Sequence, residues 1–155
     1  LPLSSFLKDC SLPKGFYPEK KIFPSFQKYI LDSAEVGINL LNTISRFDVG
    51  QSAVVSSKLV YAIEGQEGTD CMIDRAGSLS NKNKLITDPG PVLIKIPKIN
   101  QNINLDPPVV GFETVRKCIE NNFSSLVVSS NGTIIFELKK IMNLIKTRNF
   151  VIYVI

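Results

Sequence analysis

Four consecutive residues, Glu67-Gly68-Thr69-Asp70, place two carboxylates, a hydroxyl and a glycine between a predicted strand and a predicted helix. Gly68 permits a tight turn, and the free backbone N–H groups at the start of the helix would attract an anion such as a phosphate. The two carboxylates could also hold a divalent cation that bridges to that phosphate. The alternative, which is simpler on the residues alone, is an ordinary turn in which Thr69 or Asp70 caps the helix.

A second polar segment, residues 95–108, follows an apolar run that predicts a strand buried on both faces. It contains Lys95, Lys98, Gln101 and Asp106 together with three asparagines and three prolines. Ligand sites in α/β proteins gather beyond the carboxyl ends of strands, so the lysines could hold a diphosphate. Asp106 could then orient a water molecule or bind magnesium. The alternative is a solvated loop in which Asp106 caps a turn before the prolines, and the residues leave both interpretations open.

The chain of 155 residues contains no histidine, and this restricts the chemistry that it can perform. Ser-His-Asp and Cys-His nucleophile systems and His-ligated zinc are excluded. Acid–base or metal chemistry therefore falls to the 14 carboxylates, which suit hard ions such as Mg²⁺. The net charge of +4 favours an anionic ligand, while the scattered basic residues do not alternate with aromatic ones as nucleic-acid binding would require.

The cysteines and the hydrophobic profile indicate a cytoplasmic protein. Three widely spaced cysteines, at positions 10, 71 and 118, argue against a disulfide framework and against a metal knuckle. No apolar run reaches the length of a membrane span, and the first residues lack the pattern of a signal peptide. The chain begins with leucine rather than methionine, which suggests a piece of a longer protein.

The hydrophobic pattern predicts the elements that position these segments. Residues 1–24 contain four prolines and indicate a linker, and residues 25–155 then form the domain. An amphipathic helix over residues 26–44 follows, with Ser25 as its predicted N-cap. The further predicted elements are a hairpin over 52–55 and 59–64, a helix from Thr69 or Asp70 to about 77, a loop over 80–91, a strand over 92–96, a helix over 111–122, a hairpin over 124–128 and 133–136, a helix over 138–146 and a strand over 150–155. Together they predict an α/β fold with a mixed sheet of about six strands covered by helices.

Three stretches closely resemble the C-terminal domain of the LpxI-type UDP-2,3-diacylglucosamine pyrophosphatases of the lipid A pathway. They are FDVGQSAVV at 47–55, EGTDCMIDRAGSL at 67–79 and KIPKINQNINLDPPVVGFETV at 95–115. The resemblance covers roughly residues 10–155 and opens with SLPKG at 11–15. The second and third stretches in this order are more specific for the family than either stretch alone.

The resemblance implies a two-domain hydrolase of lipopolysaccharide biosynthesis in Gram-negative bacteria, with an N-terminal Rossmann-like domain outside this chain. The implied reaction is the magnesium-dependent cleavage of UDP-2,3-diacylglucosamine to UMP and 2,3-diacylglucosamine 1-phosphate, called lipid X. The acylated sugar nucleotide would lie between the two domains, so the isolated fragment should be inactive. The resemblance implies a cytoplasmic enzyme and no nucleic-acid partner, and it leaves open a peripheral contact with the inner membrane and a homodimer.

The resemblance also assigns roles to individual residues. Asp106 begins the stretch Asp106-Pro107-Pro108-Val109-Val110-Gly111, which matches the D-x-P-x-(I/V)-G stretch of the family's essential aspartate, and it is thereby the catalytic residue. Asp106 and Asp70 are the implied ligands of Mg²⁺. The implied substrate-binding residues are Gln51, Glu67, Gly68, Thr69, Asp70, Lys95, Lys98 and Gln101.

Three positions depart from the family pattern. Ile99, Asn102 and Asn104 stand where the family usually has a proline, an acid and an arginine, so a role of these positions in charge balance is in doubt. The alternative function is a non-catalytic domain that binds a nucleotide sugar or an acyl ligand. If the ligand is acylated, we expect an uncovered apolar patch of more than about a few hundred Å² beside the segments 67–70 and 95–106, through which isolated domains would self-associate.

Overall fold

The computed structural model describes residues 12–19, 21–82, 89–103 and 105–155. The strands within these residues are β1 (Gly15–Tyr17), β2 (Ser52–Ser56), β3 (Leu59–Ile63), β4 (Val92–Lys95), β5 (Val109–Val110), β6 (Ser125–Val128), β7 (Ile134–Ile135) and β8 (Val151–Val154). The α-helices within them are α1 (Pro24–Ile44), α2 (Gly68–Lys82), α3 (Phe112–Glu120) and α4 (Leu138–Lys146), and a 3-10 turn over Ser45–Phe47 follows α1.

Six of these strands form one mixed sheet in the order β1-β8-β6-β4-β2-β3. Strands β4, β6 and β8 are parallel, whereas β2 is antiparallel to both β4 and β3, and β1 is antiparallel to β8. Strands β5 and β7 form a separate parallel pair. The predicted α/β fold with a mixed six-stranded sheet is confirmed.

Helices cover both faces of the sheet. On one face, α1 packs its buried residues Ile30, Ala34 and Leu41 against the sheet. On the other face, α2, α3 and α4 pack side chains such as Met72 and Ile141 into a second cluster. Every residue of β2, β4 and β6 is buried, which is typical of central strands covered on both faces. The domain is therefore a three-layer sandwich whose central strands cannot shift without disrupting two cores.

The second predicted hairpin is wrong. The turn at Asn131-Gly132 forms, with Gly132 at a φ of +93°, but β7 pairs with β5 instead of β6. The reason is that β6 already has neighbours on both edges, β4 and β8, so β7 has no free edge to join. A local turn signal cannot reveal that the preceding strand is central.

The predicted starts of two helices are also wrong. Helix α1 begins at Pro24, where the fixed φ of proline suits the first turn, and no side chain caps it, so Ser25 is not the N-cap. Helix α2 begins at Gly68 and continues past Gly77 to Lys82, into the predicted loop. A Cβ at Gly77 would lie 2.0 Å from the Asn121 Oδ1 atom, so this glycine permits close packing and does not end the helix.

The N-terminal part of the chain contributes to the sheet. Residues 15–17, inside the predicted linker, form β1 and pair with β8, while residues 1–11 lie outside the described residues. No helix within the described residues has both the length and the apolar character needed to cross a membrane.

Gly37 marks the closest approach of α1 to the sheet. A Cβ at this position would lie 2.8 Å from both Cγ1 and Cδ1 of Ile94, a fully buried residue of β4. A glycine in the helix costs about 1 kcal/mol relative to alanine. It is tolerated here because a residue with a Cβ would clash with Ile94.

We predict that Gly37→Ala lowers the free energy of unfolding by about 1–2 kcal/mol, because overpacking a core costs more than the gain in helix propensity. Urea denaturation of both proteins measures the change. Asn39→Ala is the matched control, since Asn39 is exposed on the same helix and gains propensity without a clash. A Gly37→Ala protein more stable than the wild type would contradict this packing.

Candidate functional site

Strand register brings three chain segments to one edge of the sheet. Ser52 at the start of β2 is paired with Lys95 at the end of β4, and Ala53 is paired with Ile63 at the end of β3. Beyond these pairs, the Ile96 N–H donates to the Gln51 carbonyl oxygen at 3.1 Å. Residues that are up to 44 positions apart in the sequence, Gln51 and Lys95, therefore lie side by side.

Glu64 is the buried carboxylate of this edge, with 8% of its surface exposed. Its Oε1 accepts a hydrogen bond from the Thr69 hydroxyl at 2.7 Å, and its Oε2 accepts one from the Gln51 N–H at 3.0 Å. Sequence analysis missed this residue because it was assigned to the end of strand β3. The available signal was a carboxylate directly after an apolar strand and only three residues before Glu67.

Lys95 is the buried cation of the same edge, with 7% of its surface exposed. Its ammonium group donates to the Thr69 hydroxyl oxygen at 2.6 Å. Burial lowers the pKa of Lys95 below its usual 10.5, and the negative charges of Glu64 and Asp70 oppose this shift. A buried ammonium group that meets a hydroxyl is well placed to attract an additional anion.

The interpretation of Thr69 or Asp70 as a helix cap is wrong. Because α2 begins at Gly68, both residues lie within its first turn. The Thr69 hydroxyl bonds to Glu64 and Lys95, and Asp70 Oδ1 accepts a hydrogen bond from the Thr114 hydroxyl of α3 at 3.0 Å. Gly68 has a φ of +79°, which only glycine adopts readily, so the tight turn predicted here is confirmed.

Glu67 turns away from the Lys95 edge. Its Oε1 accepts a hydrogen bond from Arg75 at 2.6 Å, and its Oε2 accepts one from the Gly65 N–H at 3.2 Å. The Arg75 guanidinium group lowers the pKa of Glu67. Glu67 therefore closes the turn before α2 in this structure, and its predicted role in substrate binding stays a prediction.

Gln101 organises the loop that follows β4. Its side-chain oxygen accepts a hydrogen bond from the Lys98 N–H at 2.9 Å, and its Nε2 donates to the Asp106 carbonyl oxygen at 2.5 Å. The same Nε2 lies 3.4 Å from Asp106 Oδ2, which is a weak contact. The amide thus fixes both ends of the loop, while the exposed Asp106 carboxylate keeps most of its acceptor capacity for other groups.

Lys98 is linked to the turn after α1. Its ammonium group donates to Asp48 Oδ1 at 2.5 Å and thereby lowers the pKa of the Asp48 carboxyl group. Asp48 is exposed and adopts a left-handed conformation with a φ of +53°. The contact holds the Lys98 side chain at the same edge as the start of β2.

Exposed apolar side chains lie on or directly after this loop, while the contiguous apolar patch that the sequence predicts beside both segments stays a prediction. Ile99 is 56% exposed and Leu105 is 82% exposed, and Val109 is also exposed. Such side chains are normal singly on a protein surface, but here they flank Asp106 within eleven residues.

The structure thus forms two groups from the predicted site residues. The first group, called the buried set, surrounds the buried Lys95 and the unpredicted, buried Glu64 at the sheet edge, and it also contains the half-buried Gln51 and Thr69. The second group is the loop set of Lys98, Gln101 and Asp106. Asp70 is not part of the loop set within the described residues, because its hydrogen bond is to Thr114 of α3.

The protein side chains do not form a complete metal cage. Within the part of the chain that the structure describes, no group of three or more His, Cys, Asp and Glu side chains could hold a metal ion. Mg²⁺ in phosphoryl-transfer sites is usually held by one or two carboxylates plus substrate phosphates and water. The hydrogen bonds of the two predicted ligands, Asp70 and Asp106, are to different parts of the fold, so the predicted magnesium site stays a prediction.

Two surface clefts lie away from this edge. The larger, of about 1110 Å³, is lined in part by Gly90, Ser124 and Val151 at the beginning of β4, β6 and β8. The smaller, of about 410 Å³, is lined by Tyr17, Pro18, Glu19, Met142 and Lys146. Neither cleft is lined by a predicted site residue, so the candidate site is the sheet edge with its loop.

We predict that Lys95→Met lowers the melting temperature at neutral pH, because it leaves the buried Glu64 carboxylate without the positive charge that compensates it. Because the folded pKa of Lys95 is lowered, the unfolded state binds more protons between that lowered pKa and 10.5, and wild-type stability rises with pH only in that window. The stability of the wild type relative to Lys95→Met should therefore improve as the pH rises towards 10.5. Denaturation at several pH values measures this difference, and a difference that falls with pH would contradict the burial of a charged Lys95.

Comparison with known proteins adds independent evidence. The family model described as the LpxI C-terminal domain matches residues 21–153. The UDP-2,3-diacylglucosamine pyrophosphatase LpxI of Caulobacter vibrioides is 30% identical to the chain over 136 residues. These residues are 86% of this chain and 47% of that protein. The chain therefore spans about half the length of the curated relative that it matches.

Proposed function

The chain belongs to the LpxI C-terminal domain family, and from this premise we propose that it is the substrate-binding and catalytic half of a pyrophosphate hydrolase. The proposed substrate is UDP-2,3-diacylglucosamine, and the products are UMP and lipid X. The observation that carries the proposal is the buried Lys95 ammonium at the sheet edge, directly before the loop that exposes Asp106. The other half of the enzyme would be an N-terminal domain, since the relative is about twice as long.

Lys95 and Lys98 are proposed to bind the diphosphate. Cleavage of a pyrophosphate requires positive groups that offset charge on the phosphoryl oxygens. Lys95 supplies such a charge from a buried position, where electrostatic interactions are stronger than in water. Lys98 would release Asp48, whose exposed carboxylate gains solvation when the phosphate replaces it.

Gln51 offers a buried acceptor to the substrate. Its Oε1 atom is shielded from solvent and has no hydrogen-bond partner within the described residues. Leaving a buried acceptor unpaired costs about 1–3 kcal/mol, so a bound hydroxyl or N–H group would stabilise the site. This supports the predicted role of Gln51 in substrate binding.

Asp106 is proposed as the catalytic residue. Its exposed carboxylate follows the exposed Leu105, and Gln101 fixes its backbone in place. From there it can accept a proton from an attacking water molecule and orient that water towards the phosphoryl group. Mg²⁺ held by Asp106 with substrate oxygens and water would supply charge neutralisation. The second implied ligand, Asp70, accepts a hydrogen bond from Thr114 on α3, so its role as a ligand stays a prediction.

The exposed apolar residues support an acylated substrate. Ile99 and Leu105 stand on the loop that carries Asp106, so acyl chains and diphosphate could meet on one side of the domain. Ile99 and the exposed Asn102 occupy two of the positions that depart from the family pattern. Their side chains face the surface, so these departures leave the buried Lys95 set unchanged.

We predict that Asp106→Ala in the full-length protein lowers kcat by at least about a hundredfold, as the loss of a general base or metal-positioning group should. Substrate affinity should largely survive, because the removal of a negative charge does not weaken attraction for a diphosphate. Release of UMP measures turnover, and Asp32→Asn, a carboxylate paired with Lys28 on α1, is the control. Wild-type turnover by Asp106→Ala would remove Asp106 from the mechanism.

We also predict that residues 1–155 alone fold but show no measurable hydrolysis. The two-sided core supports folding, whereas the site has an open, solvated side that only a second domain would close. Circular dichroism and an assay of UMP release test the two parts. A clear magnesium-dependent rate from the fragment would show that one domain suffices. Saturable binding of lipid X with no hydrolysis by the full-length protein would instead support the non-catalytic alternative.

A further inference from the structure

We propose that Glu64 is a positioning residue that directs the Lys95 ammonium group towards a bound diphosphate, and that it acts through the Thr69 hydroxyl. This inference rests on the proposed function, which it deepens by identifying the residue that holds the diphosphate-binding cation. The three side chains form a chain of hydrogen bonds, at 2.7 Å from Thr69 to Glu64 and at 2.6 Å from Lys95 to Thr69.

The direction of each proton in this chain is determined by chemistry. A threonine hydroxyl has one proton, and an ionised carboxylate can only accept a hydrogen bond, so Thr69 must donate to Glu64. An ammonium group can only donate, so Lys95 must donate to the Thr69 oxygen. Glu64 therefore orients the Thr69 lone pairs towards Lys95, and in doing so it selects one orientation of the ammonium group.

The Glu64 carboxylate is itself held rigidly. Its Oε2 accepts from the Gln51 N–H, and its backbone N–H and carbonyl oxygen pair with Ser52 and Gly50. A Cβ at Gly50 would lie 2.5 Å from both Cβ and Cγ of Glu64, so only glycine permits this contact. A rigid acceptor transmits its geometry to the groups that bond to it.

Lys95 retains donor capacity for a ligand. Thr69 is its only hydrogen-bond partner within the described ranges, so two of its three N–H groups are uncommitted there. Only 7% of the Lys95 surface is exposed, so bulk water has little access to its ammonium group. A buried cation with free donors fits a doubly charged anion such as a diphosphate.

Simple charge effects predict the opposite result from this proposal. Neutralising a carboxylate near an anion site removes repulsion, so anion affinity should rise if Glu64 acts only through its charge. If Glu64 positions Lys95, the same change should lower the affinity. The sign of the change therefore separates the two roles.

Glu64→Gln is the informative variant because its size is almost unchanged. Whichever way the amide is oriented, its NH₂ group faces either the Gln51 N–H or the Thr69 hydroxyl. In the first case two donors meet. In the second the Thr69 oxygen accepts from the amide and its proton turns to another acceptor such as Ser52 Oγ, 3.4 Å away, so the carboxylate no longer fixes the orientation of the hydroxyl. We expect Glu64→Gln to weaken the binding of inorganic pyrophosphate to the full-length protein by roughly tenfold, measured by calorimetry at constant magnesium concentration.

A double-mutant cycle tests whether Glu64 acts through Lys95. We expect Lys95→Met to weaken pyrophosphate binding at least as much as Glu64→Gln, and we expect the double variant to be no weaker than Lys95→Met alone. Asp74→Asn is the control, because this exposed carboxylate on α2 pairs with Lys117 and Asn121 and should leave the affinity unchanged. Melting temperatures show that each variant is folded.

A second pair of variants is available if Glu64→Gln does not fold. Thr69→Val removes the hydroxyl at constant shape and should lose affinity, and Thr69→Ser should restore most of that loss. Weaker pyrophosphate binding by Glu64→Gln or Thr69→Val, with the expected rescue and non-additivity, supports the positioning role of Glu64. A wild type that fails to hydrolyse UDP-2,3-diacylglucosamine would refute the proposed function but not this role. Unchanged or tighter binding by Glu64→Gln, additive losses in the double variant, or no saturable binding by the wild type would each overturn it.

Discussion

The burial of one positive charge, the Lys95 ammonium group, is the constraint on which the site depends. A buried cation is stable only if polar partners compensate for its lost hydration. Here the compensation comes from the Thr69 hydroxyl and, one bond further, from Glu64. These partners come from the ends of β3 and the start of α2, so the register between β2, β3 and β4 must be maintained for the charge to be tolerated.

The three-layer core maintains that register. Strands β2 and β4 are buried on both faces, and a slip by one residue would exchange the side chains between two differently packed clusters. Gly37 and Gly50 permit the close contacts on either side of this unit, to Ile94 and to Glu64 respectively. Apolar packing therefore holds the polar site in place. The hydrogen bonds within the site orient its side chains more than they stabilise the fold.

Much of this arrangement could be predicted from the sequence, and the failures have physical causes. The long stripe of α1, the first hairpin and the helix of residues 138–146 depend on local patterns, and all three were predicted correctly. The pairing of β7 depends on which edges of β6 are occupied, which no local pattern records. Glu64 was missed for a similar reason, since its importance arises from the cross-strand neighbours Gln51 and Lys95 rather than from its own position in the chain.

The rigid and exposed parts of the site have different requirements, and this is why we expect one domain alone to be a poor catalyst. Glu64 and Lys95 of the buried set are already desolvated before any ligand arrives, which would favour the proposed binding of an anion. Asp106 stands on an exposed loop, where bulk water hydrates its carboxylate and weakens every electrostatic contact. A second surface that covers Leu105 and its neighbours would remove that water and bring Asp106 into the same low-dielectric environment as Lys95. The sheet edge therefore provides the positive charge of Lys95. Closure by another surface would exclude water, so that this charge could accelerate the proposed hydrolysis.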